Sequence, residues 1–195
     1  MTVGLTGGIG SGKTTVARLL ETMGCILYNS DDRAKDIYFN AAVKEQVIEL
    51  LGDNTYYATG VLNKAHISEQ VFSNTDLLQR LNAIIHPAVK KDFDRFTELH
   101  PDKIIIKESA ILFETGIYKT LDATILVTAP LNEKTERVMK RNNLTKAEVE
   151  KRMQAQWTDE QKIPLANYTI NNANNEALIP QATDILNKIR SHVKA

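Results

Sequence analysis

The chain has 195 residues, enough for one well-buried α/β domain with helical excursions and too few for two full domains. Lysine plus arginine and aspartate plus glutamate each number 24, so no global positive charge exists to draw nucleic acid or an anionic membrane without specificity. The lone cysteine, Cys25, excludes an intramolecular disulfide and any multi-cysteine zinc site, and it fits a reducing, cytoplasmic setting.

Residues 2–5 are short and mostly apolar and read as a first strand. Gly7-Gly8-Ile9-Gly10-Ser11-Gly12-Lys13-Thr14 then spells the phosphate-binding pattern G-x-x-x-x-G-K-[ST]. After it, Val16, Leu19 and Leu20 share one helical face, so the motif has the strand, loop and helix it requires. Glycines at 7, 8, 10 and 12 let successive N–H groups turn inward around a polyphosphate at a helix N-terminus. Lys13 is expected on the β- and γ-phosphates, with the Thr14 hydroxyl on Mg²⁺. The motif begins so near Met1 that no signal peptide is expected, and no apolar run approaches the ~20 residues of a membrane helix.

Further strand-length apolar runs fall at 25–28, 104–106, 123–127 and, more weakly, 168–170. Helix-period segments separate them, which predicts a parallel sheet covered by helices on both faces, with ligand groups at the carboxyl ends of the strands. Cys25 reads as a small buried residue entering the second strand. Asn29-Ser30-Asp31-Asp32 closes that strand; a carboxylate there suits a base for an acceptor hydroxyl, and it suits equally well a cap for the helix that follows.

Residues 41–99 contain no convincing strand and read as a helical insertion, with Val43, Val47, Leu50 and Leu51 at helical spacing and a loop over 52–60. Pro87, directly after His86, is expected to start or kink a helix rather than sit inside one. Glu108 follows the third run and could help hold a metal through water. A second helical excursion follows Pro130, rich in Lys134, Arg137, Lys140, Arg141, Lys146, Lys151 and Arg152. Arg137 and Arg141 are four apart and share a face, which suits a mobile cover over phosphates.

In order and spacing these strings resemble the dephospho-coenzyme A kinase family over nearly the whole chain. The opening signature is matched by residues 6–15, its Asp-x-x-Ala-[basic] element by Asp31, Ala34 and Lys35, and its Leu-His-Pro by Ile85-His86-Pro87. Leu112-Phe113-Glu114 is similar to its Leu-Leu-Phe-Glu segment, and residues 129–156, with Arg137, Arg141, Arg152 and Gln156, to its lid. Residues 168–172 are similar to its closing Ala-Asp-x-x-Ile-x-Asn element.

The resemblance implies transfer of the ATP γ-phosphoryl group to the ribose 3′-hydroxyl of dephospho-coenzyme A, with ATP and Mg²⁺ as cofactors. It implies a three-layer α/β P-loop kinase fold with a five-stranded parallel sheet, in a single domain. The core would comprise about 1–40, 101–129 and 166–195, the helical substrate-binding insertion about 41–100, and the lid about 130–165. Asp31 would be the base, with Lys13 and Arg141 the other catalytic groups. Gly10, Ser11, Gly12, Lys13, Thr14, Thr15, Arg141 and Asn172 would hold the nucleotide, Thr14 the metal, and Thr6, Asp31, His86 and Arg137 the acceptor. A cytoplasmic monomer acting on a small molecule, without nucleic acid or membrane, is expected.

The chain also departs from the family pattern. Asn29-Ser30 stand for the more usual Asp-Ala, Lys35 for Arg or His, Glu108-Ser109 for an apolar-Pro pair, and Asn167 for Asp. Two other readings share parts of this evidence: another small-molecule or nucleoside monophosphate kinase, and a nucleotide-dependent switch. The absence of an Asp-x-x-Gly string and of an Asn-Lys-x-Asp guanine reader disfavours the switch.

Overall fold

The computed structural model describes residues 1–72 and 74–193. By their contacts these residues divide into two units, 1–29 with 100–193, and 30–72 with 74–99.

The first unit is built on a five-stranded parallel sheet in the order β2-β3-β1-β4-β5, formed by β1 Thr2–Thr6, β2 Ile26–Asn29, β3 Ile105–Glu108, β4 Ala123–Thr128 and β5 Tyr168–Asn171. The four inner pairings are all parallel, with Leu5 opposite both Glu108 and Ile125, and Asn29 opposite Glu108. Strands buried on both faces need apolar residues in succession, and β4 supplies five buried residues in a row.

Helix α1, Lys13–Thr22, turns Val16, Ala17 and Leu20 onto one face of the sheet. There α9, Leu178–Val193, adds Ala182, Ile185, Leu186 and Ile189 at the i, i+3, i+4, i+7 spacing of an amphipathic stripe. Cys25 packs in this cluster at 4% exposure, and burial pushes its thiol pKa up against the lowering effect of Arg190. It is a packing residue, as its position entering the second strand suggests. Between β4 and β5 the chain forms α6 Leu131–Asn142, α7 Lys146–Met153 and α8 Asp159–Lys162. Thr145 and Glu148 form a reciprocal cap on α7, and accepting the Thr145 hydroxyl and N–H lowers the Glu148 pKa.

The second unit is helical: α2 Ser30–Ile37, α3 Ala41–Leu51, α4 Lys64–Phe72 and α5 Thr75–Glu98. Asn40 and Asn74 cap α3 and α5 by accepting the Val43 and Leu77 N–H groups. The core joins Val43, Val47 and Leu51 of α3 to Leu81 and Ile85 of α5, with Tyr56, Leu62 and Ile67 between. Tyr56 and Leu62 form an antiparallel bridge, and the Tyr56 hydroxyl donates to the Tyr38 carbonyl at 2.6 Å.

Pro87 corrects the sequence reading, because it lies inside the 24-residue helix α5 rather than at its start. A proline there forfeits one backbone bond and crowds the preceding turn, at about 3 kcal/mol. The apolar stripe runs in register across it, from Leu81 and Ile85 to Val89 and Phe93. Each fully buried residue of that kind contributes about 1.5–3 kcal/mol, so the stripe outweighs the proline.

Candidate active site

The loop between β1 and α1 is held in shape by its glycines and by side chains brought from far along the chain. Gly10 and Gly12 have φ of 81° and 92°, in the left-handed region. A Cβ at Gly10 would run into the Lys134 carbonyl, and one at Gly12 into the Asn172 amide, so both positions also require the absence of a side chain. Gly12 is the N-cap of α1 and offers no side-chain cap, so the positive end of the helix dipole meets the loop without a capping side chain. Lys13 Nζ donates to the Gly7 carbonyl at 2.9 Å, so the ammonium arches over the loop. Ser11 is fully buried, with an Oγ that has no hydrogen-bond partner, inside the curve of the loop.

Two amides clamp the loop. Asn172 Nδ2 donates to the Ser11 carbonyl at 2.8 Å, and the Ile9 N–H donates to Gln156 Oε1 at 2.9 Å. Each amide is itself anchored. Next to Gln156, the Trp157 N–H donates to Glu114 Oε1, whose charge is balanced by the fully buried Lys162 ammonium 2.9 Å away. The Asn172 carbonyl accepts from Arg137 Nη2 at 2.9 Å, and the same guanidinium reaches Glu133 and Asn174. A third tie, Lys134 to Asp159 at 2.8 Å, lies largely buried beside Gly8. An open cleft of about 290 Å³ borders the loop here, with Gly8, Ile9, Lys134, Gln156, Trp157 and Asp159 in its wall.

The groups expected to serve a metal meet at the carboxyl ends of the strands. Thr14 Oγ1 donates to Glu108 Oε1 at 3.2 Å, and Asn29 Nδ2 donates to Glu108 Oε2 at 3.3 Å. Glu108 is buried, whereas Thr14 is exposed in the first turn of α1. A hydroxyl and a carboxylate are the hard oxygen donors that Mg²⁺ prefers, so the residues present suit that ion. Among the described residues no group of three or more His, Cys, Asp or Glu forms a cation cage.

Thr6 ends β1 fully buried, its hydroxyl without a hydrogen-bond partner. Thr15 is exposed on α1. The two arginines expected to act together are treated differently. Arg137 is spent on the 172–174 loop, whereas Arg141 is exposed at the end of α6 and donates to its neighbour Asn142. In the helical unit, Asp31 is exposed in the first turn of α2, and His86 is exposed on α5. Asp32 shares that first turn, where its carboxylate takes the Lys35 ammonium at 2.6 Å, and this bond raises the Lys35 pKa. Because β2 ends at Asn29, the two aspartates diverge by the ~100° step of a helix rather than by strand alternation.

Sequence reasoning passed over Lys134, Asp159, Lys162 and Glu114 as an anchoring set. Lys134, Asp159 and Lys162 stand in polar, helical stretches, and Glu114 belongs to the Leu-Phe-Glu string, but nothing local pairs them. A model of the dephospho-CoA kinase family matches residues 1–177. The chain belongs to the dephospho-CoA kinase family. A dephospho-CoA kinase of Porphyromonas gingivalis is 36% identical over 192 residues, covering 98% of this chain and 95% of the relative. The crystal structure of TT1252 from Thermus thermophilus superposes with a TM-score of 0.87 at 30% identity, covering 96% of each chain. The dephospho-CoA kinase from Campylobacter jejuni, at 22% identity and a TM-score of 0.72 over 96% of both chains, has the same fold. The expected three-layer α/β kinase fold with its five parallel strands is thus the fold of this dephospho-CoA kinase family member.

Proposed function

We propose that the chain transfers the γ-phosphoryl group of ATP to the ribose 3′-hydroxyl of dephospho-coenzyme A, giving coenzyme A and ADP, the final step of coenzyme A biosynthesis. The observation that carries this reading is the intact phosphate loop, clamped at Ile9 and Ser11, in a chain of this family.

In this reading the N–H groups of residues 10–15 receive the nucleotide phosphates, and the Lys13 ammonium leaves the Gly7 carbonyl to meet the β- and γ-oxygens. Thr14 would hold Mg²⁺, which supplies charge neutralisation on the phosphates when bound. Asp31 orients the acceptor hydroxyl and takes its proton as the oxygen bonds to Pγ and the bond from Pγ to the β–γ bridging oxygen breaks. Arg141, exposed at the end of α6, closes over the phosphates and stabilises the charge that develops there. Asn172 lies at the loop's Gly12 side and contributes to the nucleotide site, while Thr6 and His86 serve the acceptor. Arg137 acts through the 172–174 loop that it holds.

The same reading makes the enzyme a cytoplasmic monomer acting on a small molecule. Among the described residues no helix is long and apolar enough to cross a membrane. The test is ATP turnover with a panel of dephospho-coenzyme A, nucleoside monophosphates and shikimate, with products identified by mass spectrometry. One phosphate gained on dephospho-coenzyme A alone is the expected result. Phosphorylation of another acceptor in its place, or equal ATP hydrolysis without any acceptor, would overturn the assignment.

A further inference from the structure

Gln156 reaches the phosphate loop from a stretch that lies between helices. α7 ends at Met153, α8 begins at Asp159, and between them the Gln156 N–H donates to the Met153 carbonyl at 3.0 Å. A long-range tie lies one residue on, where the Trp157 N–H donates to Glu114 Oε1 at 3.0 Å. The backbone at Glu114 is itself fixed, because Leu112 and Phe113 are 0% and 2% exposed and the Gly116 N–H donates to the Phe113 carbonyl at 3.0 Å.

A carboxylate is unfavourable where Glu114 lies. Its side chain is 14% exposed, and Oε2 is buried without a hydrogen-bond partner among the described residues. Its charge is met by the Lys162 ammonium, 0% exposed and 2.9 Å from Oε1. Two buried charges give up hydration that their attraction offsets only with good geometry and full hydrogen bonding, and apolar residues of similar size often pack in such a place as well or better. An apolar pair would lack one thing, an acceptor for the Trp157 N–H.

We infer that Glu114 is a positioning residue for the phosphate loop. Its acceptor oxygen holds the Trp157 N–H and so aims the adjacent Gln156 amide at the Ile9 N–H, while Lys162 supplies the charge that lets a carboxylate stay buried. The inference rests on the nucleotide reading of that loop. Ile9 lies between Gly7, whose carbonyl takes Lys13, and Gly10, at φ 81°, so the clamp acts on a glycine-flanked stretch with conformational freedom to lose. A loop shaped before the nucleotide arrives need not be ordered by it, and the difference appears as affinity.

The test compares two neutral replacements of the ion pair, Glu114→Gln with Lys162→Met and Glu114→Leu with Lys162→Met. Neither leaves a buried charge unpaired, so both chains should fold, and they differ in the acceptor oxygen at position 114. ADP affinity is measured by calorimetry, and the surroundings of Trp157, the chain's single tryptophan, by its emission. The Gln pair should bind ADP within about twofold of the native chain, and the Leu pair about three- to tenfold more weakly with red-shifted emission, the scale of one lost hydrogen bond. Adding Gln156→Ala to the Leu pair should weaken ADP no further than Gln156→Ala does alone, because both act on one clamp. Equal affinity in the two pairs, a loss in the triple variant beyond that of Gln156→Ala, or failure of either pair to fold overturns the inference. A native chain that binds no ADP would instead remove the nucleotide reading on which it rests.

Discussion

The two units hold their functional residues by opposite means. In the sheet unit the phosphate loop is clamped by Gln156 and Asn172, and those amides are backed by the ion pairs of Lys162 with Glu114 and Arg137 with Glu133. In the helical unit the core is apolar, from Val43 to Ile85, and Asp31 and His86 stand exposed outside it. Polar ties have direction and fix groups to fractions of an ångström, whereas apolar packing fixes helices and leaves surface side chains their rotamers. The sheet unit is thus shaped in advance for one invariant ligand part, a polyphosphate. The helical unit carries its candidate residues on the exposed faces of packed helices.

If that contrast is right, substitutions in the loop and its clamps should act on nucleotide handling, and those in the helical unit on turnover alone. The largest effect is expected for Lys13→Ala, a fall in kcat/KM on the order of a thousandfold with an unchanged unfolding temperature, measured on one preparation. Near-normal turnover would take Lys13 out of the mechanism. Asp31→Asn should lower kcat by about a hundredfold with ADP affinity preserved, beside a nearly normal Asp32→Asn. A severe defect in Asp32→Asn with an active Asp31→Asn would reverse the assignment of the base.

Arg141→Ala should reduce kcat about tenfold to a hundredfold and ATP affinity much less, since a cover contributes mainly once closed. Equal losses in both would deny it that role. Asn172→Ala removes the donor to the Ser11 carbonyl, a bond of about 0.5–1.5 kcal/mol, and calorimetry should find ADP bound up to about tenfold more weakly. No change would mean that the loop keeps its shape unaided.

The smallest effect belongs to the exposed cap of α7. The folded-state pKa of Glu148 is lowered, so its contribution is fully present above the ordinary Glu value of about 4.3 and is lost as pH falls through the lower folded value. Glu148→Gln should therefore unfold slightly earlier than the native chain at neutral pH, and the two melting curves should converge once the pH falls below the lowered folded value. A gap that persists in acid would assign the effect to something other than charge.

The strands were legible because burial on both faces forces apolar runs, and all five observed strands begin within a residue of those runs. The third shows the limit. The apolar run stops at Ile106, but β3 continues through Lys107 and Glu108, both buried. A charged residue reads as an end of strand unless its partner is known, and the partners of Glu108 sit 79 and 94 residues away. The phosphate loop was legible for the opposite reason, as eight contiguous residues that carry their own geometry. Gln156 and Asn172 entered only through the family resemblance and not as clamps, because they reach the loop across 147 and 161 residues and leave no periodic trace. Pro87 was misjudged because local backbone cost is visible in a sequence, while the stripe that outweighs it is visible only once α3 lies against α5.

Cys25 has a practical consequence. Its thiol is the only one in the chain, 4% exposed, and shifted by burial toward the protonated form that alkylating reagents do not attack. The folded chain is therefore its own silent background for probe attachment. A cysteine placed at an exposed position such as Arg141 or Trp157 could carry a fluorophore or spin label without first removing Cys25. Slow modification of Cys25 itself would count the moments when the core opens.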